Sequence, residues 1–218
     1  FASDFNYDTG LALKSNLADK ATITSMHKHN DKIVAVGVHG IILTSNDMGV
    51  SWIQAEKVPF TNTLTDVQCV SESQCWAVGH DLTILHSVDG GKNWSIQYDD
   101  IDFDAPFLSI HMTDYLNGMV VGAFGKSLKT SDGGENWIST VVTDDAYEPH
   151  LNSVYSSEKM KSEDGNNLMF VAGEIGQVHI SSDQGVSWNM VDTEYFGSLW
   201  DGISVDQKRK LLLGMAGK

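Results

Sequence analysis

The pattern Ser/Thr-x-Asp-x-Gly-x-x-Trp occurs four times in this chain and constrains its fold more than any other feature. The tryptophans of successive copies are 42, 43 and 51 residues apart. A repeat on the order of 40 residues is typical of one blade of a β-propeller. The four copies, called Asp boxes below, are Ser45, Asp47, Gly49, Trp52; Ser87, Asp89, Gly91, Trp94; Thr130, Asp132, Gly134, Trp137; and Ser181, Asp183, Gly185, Trp188.

A second element precedes every box. An apolar segment ends on a glycine eight residues before the Ser or Thr, at Gly37, Gly79, Gly122 and Gly173. In three repeats another glycine follows three residues later (Gly40, Gly125, Gly176), whereas the second repeat has Leu82 there. These glycines predict a turn that needs positive φ or a close backbone approach. The register of each repeat is therefore defined twice.

We predict an all-β propeller of four-stranded antiparallel blades, in which the Asp box joins the third and fourth strands. In the first blade the strands are expected over residues 23–27, 32–37, 41–45 and 51–56, and later inner strands begin near Leu64, Phe107, Leu151 and Ser198. The polar residues 158–167 predict an inserted hairpin loop. We predict a single domain over residues 1–218. Its blades span approximately 20–58, 62–99, 105–144, 149–193 and, in part, 197–218.

The repeat spacing places the next box at position 222, so the chain stops within its fifth blade. Because an open propeller leaves its terminal blades uncovered, we predict that C-terminal blades are missing. In an alternative five-blade ring, Gly10–Asn16 would complete the fifth blade from the N-terminus.

The Asp boxes are predicted to be structural. An Asp carboxylate can accept backbone N–H hydrogen bonds, the Gly allows a tight turn, and the Trp can pack between blades. Four equivalent boxes cannot all be active sites of one small enzyme. We therefore predict no catalytic residue among them.

The two cysteines, Cys69 and Cys75, flank a short polar turn between apolar segments. This placement favours a disulfide across a hairpin and an oxidising compartment, although free thiols or half of a metal site are alternatives. Phe1–Asp4 is compatible with the end of a removed signal peptide. We predict a periplasmic or secreted protein.

Charge excludes some functions. Acidic residues outnumber basic ones 29 to 14, for a net charge of −15, and this field would repel nucleic acid. A sialidase grips its substrate carboxylate with several arginines, whereas Arg209 is the only arginine here. The longest apolar runs are too short for a membrane helix.

The segment Trp76–Trp94 resembles the blades of the photosystem II stability and assembly factor family of Asp-box (bacterial neuraminidase repeat) propellers. Val34–Ser45, His150–Ser153, Val171–Gly176 and Tyr195–Leu199 are similar to its non-photosynthetic bacterial branch. The resemblance implies a seven-bladed, exported, non-enzymatic propeller that binds proteins during assembly of an envelope complex, and points to an exporter-type membrane partner. The arginine-rich patch of photosynthetic members is absent.

Other classes of site remain open. A glycosidase needs a carboxylate pair across a cleft, and Asp66, Asp114, Glu174 and Asp201 lie near inner strands or turns. Four aspartates between Asp99 and Asp104 could bind calcium, but the more economical interpretation is a solvated loop. Paired His27 and His29 lack an evident third metal ligand, and the equivalent positions of His86 and His179 favour packing.

Aromatic residues near predicted turns could form a partner-binding face. The candidates are Phe124, Tyr195, Phe196 and Trp200, and Tyr115 also lies near a predicted turn. We predict a protein-binding scaffold or assembly factor with no catalysis, cofactor or metal. The alternative is a carbohydrate-acting propeller, either a non-sialidase glycosidase or a lectin.

Overall fold

The computed structural model describes residues 10–143 and 147–215, in which five antiparallel sheets follow one another along the chain. The predicted all-β fold of four-stranded blades is confirmed. The sheets are β1 Ile23–His29, β2 Lys32–Gly37, β3 Ile42–Ser45, β4 Ile53–Gln54; β5 Leu64–Cys69, β6 Cys75–Gly79, β7 Ile84–Ser87, β8 Ser95–Tyr98; β9 Phe107–Met112, β10 Gly118–Gly122, β11 Ser127–Thr130, β12 Ile138–Ser139; β13 Leu151–Lys161, β14 Asn167–Gly173, β15 Val178–Ser181, β16 Asn189–Val191; and β17 Leu199–Ser204, β18 Lys210–Gly214.

Helical structure in these residues is limited to short 3₁₀ turns, at Ala18–Lys20, Val38–Gly40, Ala123–Gly125 and Glu174–Gly176. No helix in the described part of the chain has the length and apolarity to cross a bilayer. The signal-peptide interpretation of Phe1–Asp4 and the end of the predicted partial fifth blade, residues 216–218, lie outside the described residues.

The outermost strand of the first blade is shorter than predicted. Ladder pairing is confined to Ile53 and Gln54, because the chain then leaves for the second blade. There the Glu56 N–H donates to the Lys92 carbonyl at 2.7 Å, and Lys57 pairs with Asn93. The outer edges of adjacent blades are thus joined.

The predicted loop over 158–167 is also partly wrong, since β13 continues through Lys161 and the turn is shorter.

Inner strands β1, β5, β9, β13 and β17 pack side by side around a central cavity. Between neighbouring sheets lie the apolar cores. Each box tryptophan from the second blade onward packs against the preceding blade: Trp94 joins the cluster of Val34 and Val36, Trp137 that of Val78, and Trp188 that of Val121. The box therefore fastens one blade to the previous one.

Antiparallel order gives the propeller two faces. The box face carries the Asp boxes and the hairpin turns at 30–31, 70–74, 113–117, 162–166 and 205–209. The link face carries the turns after the second strands (38–41, 80–83, 123–126, 174–177) and the links between blades (58–63, 99–106, 140–143 with 147–150, and 192–198).

Each turn of the link face is bonded to the link that follows it. Gly40 N–H donates to the Asn62 carbonyl at 2.8 Å, and Gly176 N–H to that of Gly197 at 2.8 Å. Both glycines have φ near +67°, and a Cβ on either would overlap a carbonyl oxygen of the link. Leu82, at the same place in the second blade, also has positive φ (45°). The predicted turn is present in all four blades.

The N-terminal segment packs against the first blade. Ala12 N–H donates to the Val58 carbonyl at 2.9 Å, and Ser15 N–H to Gln54 Oε1 at 2.9 Å. The alternative in which Gly10–Asn16 completes the fifth blade is therefore wrong, because these residues occupy the outer edge of the first.

Candidate functional site: the link face and the central cavity

The Asp-box carboxylates are engaged by their own turns. In the first box, Asp47 Oδ1 accepts from Ser51 N–H at 2.9 Å and from the Ser45 hydroxyl at 2.7 Å, while Oδ2 accepts from the Ser51 hydroxyl at 2.6 Å. Gly49, at φ 88°, donates its N–H to Ser45 Oγ. The Ser51 hydroxyl and N–H, with the Ser45 hydroxyl, lower the pKa of Asp47 to about 2.

The same network recurs in the other boxes. The carboxylates of Asp89, Asp132 and Asp183 each accept from the box Ser or Thr hydroxyl at 2.7–2.9 Å. Each also accepts from the backbone N–H four residues later at 2.9 Å. Such bonds hold the turn closed and leave these acids poorly suited to substrate chemistry.

Cys69 and Cys75 form a disulfide between β5 and β6, with sulfur atoms 2.06 Å apart. The two residues are directly paired in the ladder. Both are buried in the core cluster shared by the first two blades. Free thiols and a metal half-site, the other sequence-based alternatives, are not what the structure contains.

The central cavity has a volume of about 520 Å³ and is lined by all five inner strands. Asp66 belongs to this lining and is partly buried. Its Oδ1 accepts from the Ser25 hydroxyl and Val67 N–H, both at 2.8 Å, and its Oδ2 from Ile110 N–H at 3.0 Å. Burial raises the pKa of Asp66, and these hydrogen bonds oppose that rise. The carboxylate ties three blades together.

Other lining residues also bridge blades. The Thr24 hydroxyl donates to the Leu64 carbonyl at 2.6 Å, and Asn152 Nδ2 to the Leu199 carbonyl at 2.8 Å. His111 Nε2 lies 2.7 Å from the Ser156 hydroxyl oxygen. Burial, with His27 nearby, lowers the pKa of His111 to about 4, so the imidazole is neutral at pH 7. The cavity wall is largely an inter-blade hydrogen-bond system.

The candidate acids are dispersed. Asp66 and Asp201 both line the cavity, whereas Asp114 caps a box-face turn and Glu174 lies on the link face. Arg209 pairs with Asp206 in another box-face turn, with Nε 2.6 Å from Oδ2. Among the described residues, which include Asp99–Asp104, His27 and His29, no cluster of three or more His, Cys, Asp or Glu side chains could hold a metal ion.

The histidines predicted to pack occupy equivalent third strands. His86 stacks on Trp76, with ring centroids 4.4 Å apart, and its Nε2 lies 2.7 Å from Gln74 Oε1. His179 is buried in β15. These contacts are structural.

An aromatic cluster lies on the link face between the second, third and fourth blades. Phe124 occupies the turn after β10, with its side chain 47% exposed. Its ring centroid is 6.2 Å from that of Phe103 and 4.9 Å from that of His150. The Lys126 ammonium lies 4.3 Å from the Phe103 centroid. The sequence analysis identified Phe124 but missed Phe103, His150 and Lys126, which come from separate links and turns.

The other aromatic candidates differ in exposure. Phe196 is 86% exposed in the link before β17, and Trp200 is half-exposed at the cavity rim. Tyr195 instead packs against Ala172 and Leu199. Tyr115 is exposed in a box-face turn, away from the rest. Phe124, Phe196 and Trp200 are therefore the exposed members at one end of the propeller.

Backbone geometry distinguishes the link-face turns. His39, Phe124 and Ile175 occupy equivalent positions with φ of 54–56°, the left-handed region that side chains other than glycine rarely adopt. All three side chains are exposed. Strain of this kind persists only where the surrounding structure enforces it. The hydrogen bonds from each turn to its link supply that enforcement.

Comparison with known proteins shows which family the chain is similar to. Residues 53–141 match the family model described as photosynthesis system II assembly factor YCF48. The resemblance to this family is confirmed. The chain is 25% identical over 173 residues to the photosystem II assembly lipoprotein Ycf48 of Synechococcus sp. (strain CC9902), covering 78% of this chain and 49% of that protein. It thus spans about half the length of this curated relative.

Solved structures share the fold. YCF48 bound to a D1 peptide superposes with a TM-score of 0.66 at 19% identity, over 90% of this chain and 63% of that one. An ancestral GH74 enzyme superposes with a TM-score of 0.64 at 11% identity, over 78% and 24%. At these identities only the propeller fold is shared, and a fold alone does not assign an activity.

Proposed function

We propose that this chain is a protein-binding assembly factor of the cell envelope whose link face receives a segment of its partner. The exposed aromatic side chains on that face carry the proposal, because exposed aromatic rings on a scaffold of hydrogen-bonded turns and links are typical of protein-binding surfaces. The relatives support it: one is an assembly lipoprotein, and a solved YCF48 structure contains a bound peptide.

Both sequence-level matches are to assembly factors, whereas the GH74 enzyme shares the fold at 11% identity. An assembly factor without catalysis is thus favoured over an enzyme. Asp66, a candidate acid in the cavity wall, also has both oxygens engaged by other blades, Oδ1 by the Ser25 hydroxyl and Oδ2 by Ile110 N–H. Export is part of the proposal, and the lipoprotein relative and the disulfide support it. An exporter-type partner, the non-photosynthetic branch and seven blades remain predictions.

The test is capture of the partner from envelope extract by the immobilised chain, with crosslinking to locate the contact. We expect Phe124→Ala combined with Phe196→Ala to reduce capture by about tenfold or more, as loss of central aromatic anchors does elsewhere. Tyr115→Ala is the matched control, because the exposure of Tyr115 (64%) falls between those of Phe124 (47%) and Phe196 (86%) and Tyr115 lies on the box face. Crosslinks confined to the box face, or equal loss with the control, would overturn the proposal.

A further inference from the structure

The link face has a strongly one-sided charge. The turns and links that define it contain a single lysine, Lys126, and no arginine, and the segment before β1 at the same end of the propeller adds the Lys20–Asp19 ion pair. Among the described residues, none of the carboxylates of these turns and links takes part in an ion pair. The carboxylates of this face are Asp81, Asp99, Asp100, Asp102, Asp104, Glu148, Glu174, Asp192 and Glu194.

The basic residues are concentrated elsewhere. Lys92, Lys208 and Arg209 lie in boxes or hairpin turns of the box face. The acidic character of the link face therefore exceeds what the net charge of −15 spread evenly would produce. Carboxylates that have no ion-pair partner and lie around exposed apolar side chains favour a ligand of opposite charge.

The aromatic cluster already accommodates one cation. The Lys126 ammonium lies over the Phe103 ring, in the link that contains Asp99, Asp102 and Asp104. A ring face beside carboxylates attracts a cation by its quadrupole as well as by the surrounding charge. Lys126 thus occupies the position that a partner's lysine or arginine would take, next to exposed Phe124.

We infer that the partner segment received by the link face is a basic peptide, with lysine or arginine side chains over the Phe103–Phe124 rings and apolar side chains against Phe124 and Phe196. This inference rests on the proposed function and names the chemistry of its partner. The same acidic face repels lipid and nucleic-acid phosphates, which favours a protein segment over an anionic membrane or a nucleic acid.

Two synthetic peptides test the inference by fluorescence anisotropy with the full chain. One alternates lysine with phenylalanine and serine, and the other carries glutamate in place of lysine. We expect the basic peptide to bind about tenfold or more tightly than the acidic one. Raising the salt from about 0.05 to 0.3 M should weaken its binding severalfold, because exposed charges are screened.

Variants of the chain locate the effect. Asp102→Asn with Asp104→Asn should weaken the basic peptide roughly threefold to tenfold, whereas Lys126→Ala should tighten it by roughly twofold to fivefold. Glu163→Gln with Asp164→Asn is the matched control, since it removes the same charge from an exposed box-face turn, and it should change little.

The outcomes separate the two proposals. If Phe124→Ala abolishes binding of the captured partner but Asp102→Asn with Asp104→Asn leaves it unchanged, the basic-peptide inference is overturned and the proposed function stands. Equal or tighter binding of the acidic peptide, or no binding of either, likewise overturns the inference. If partner capture is insensitive to Phe124→Ala and Phe196→Ala, the proposed function itself fails.

Discussion

The Ser25 hydroxyl in the first blade donates a hydrogen bond to Asp66 Oδ1 in the second, at 2.8 Å. The other oxygen of the same carboxylate accepts from Ile110 N–H in the third blade. Ser153 and Asp201 repeat the first of these contacts, at 2.9 Å, between the fourth and fifth blades. Side-chain hydrogen bonds in the cavity wall therefore join neighbouring blades to one another.

Removing the Asp66 carboxylate should destabilise the propeller. Asp66→Ala leaves the Ile110 and Val67 N–H groups without their acceptor, so we expect the free energy of unfolding to fall by about 3 kcal/mol. Urea denaturation followed by tryptophan fluorescence measures it. Asp31→Ala, in an exposed turn, should change stability by less than about 0.5 kcal/mol. Equal effects of the two variants would refute a bridging role.

Asp66 should also make stability depend on pH. Burial raises its pKa in the folded state above the ordinary carboxyl value. The native state then holds the proton more tightly, so this contribution is complete below about pH 4 and is lost as pH rises through the raised folded pKa. The free energy of unfolding of the wild type minus that of Asp66→Asn should decrease with rising pH over that window. A flat difference would contradict the direction.

The Asp boxes should give the free energy of unfolding a pH dependence of the opposite sign. The pKa of Asp47 is lowered from 3.8 to about 2, chiefly by the Ser51 hydroxyl. Its stabilisation is therefore present above about pH 4 and is lost as pH falls towards 2. Acid titration of Asp47→Asn beside the wild type should show a smaller loss of stability over this range. Identical acid transitions for the two proteins would count against the predicted linkage.

Reduction of the disulfide should weaken the first two blades. The bridge closes a short loop, since its cysteines are six residues apart, and both lie in the core cluster. Cys69→Ala with Cys75→Ala should lower the free energy of unfolding by about 2 kcal/mol. A reductant should destabilise the wild type and leave the variant unchanged. A reductant effect on the variant would mean that another group is responsible.

Relief of the strained turn should stabilise the protein. Ile175 is β-branched, exposed and at φ 56°, which costs such a residue roughly 1–2 kcal/mol. Ile175→Gly should raise stability by about 0.5–1 kcal/mol in thermal unfolding, whereas Ile138→Gly, in exposed strand β12, should lower it. If partner capture by Ile175→Gly also falls, the strained conformation at this position lowers stability but contributes to binding of the partner.

The periodic features were predictable from the sequence. Gly37 and Ser45 recur at one spacing, and this spacing determines where β2 ends and β3 follows, so strand order and inner strands could be derived locally. The cluster of Phe103, Phe124 and His150 could not, because its members come from three separate segments and meet only through the rotation between blades. Tyr195 was expected at the surface but packs against Ala172, since its link turns back onto the blade.

The outer strands fail for a related reason. Beyond Gln54 the chain changes its hydrogen-bond partner: Ala55 N–H donates to the Ile42 carbonyl of the same blade, and Glu56 N–H donates to the Lys92 carbonyl of the next. The position of this change is not encoded in the alternation of apolar residues. Asp66 shows the same limit for function. A lone acid in a strand has the same local pattern whether it faces solvent or accepts hydrogen bonds from Ser25 and Ile110.

Two threonine hydroxyls at the cavity wall form hydrogen bonds directed from one blade to the next along the chain. Thr24 and Thr65 each donate to a carbonyl of the succeeding inner strand, at 2.6 Å. A completed blade thus displays a ready docking position for its successor before that successor has formed. During synthesis the blades can consequently be added in the order in which they leave the ribosome, each one serving as the template for the next.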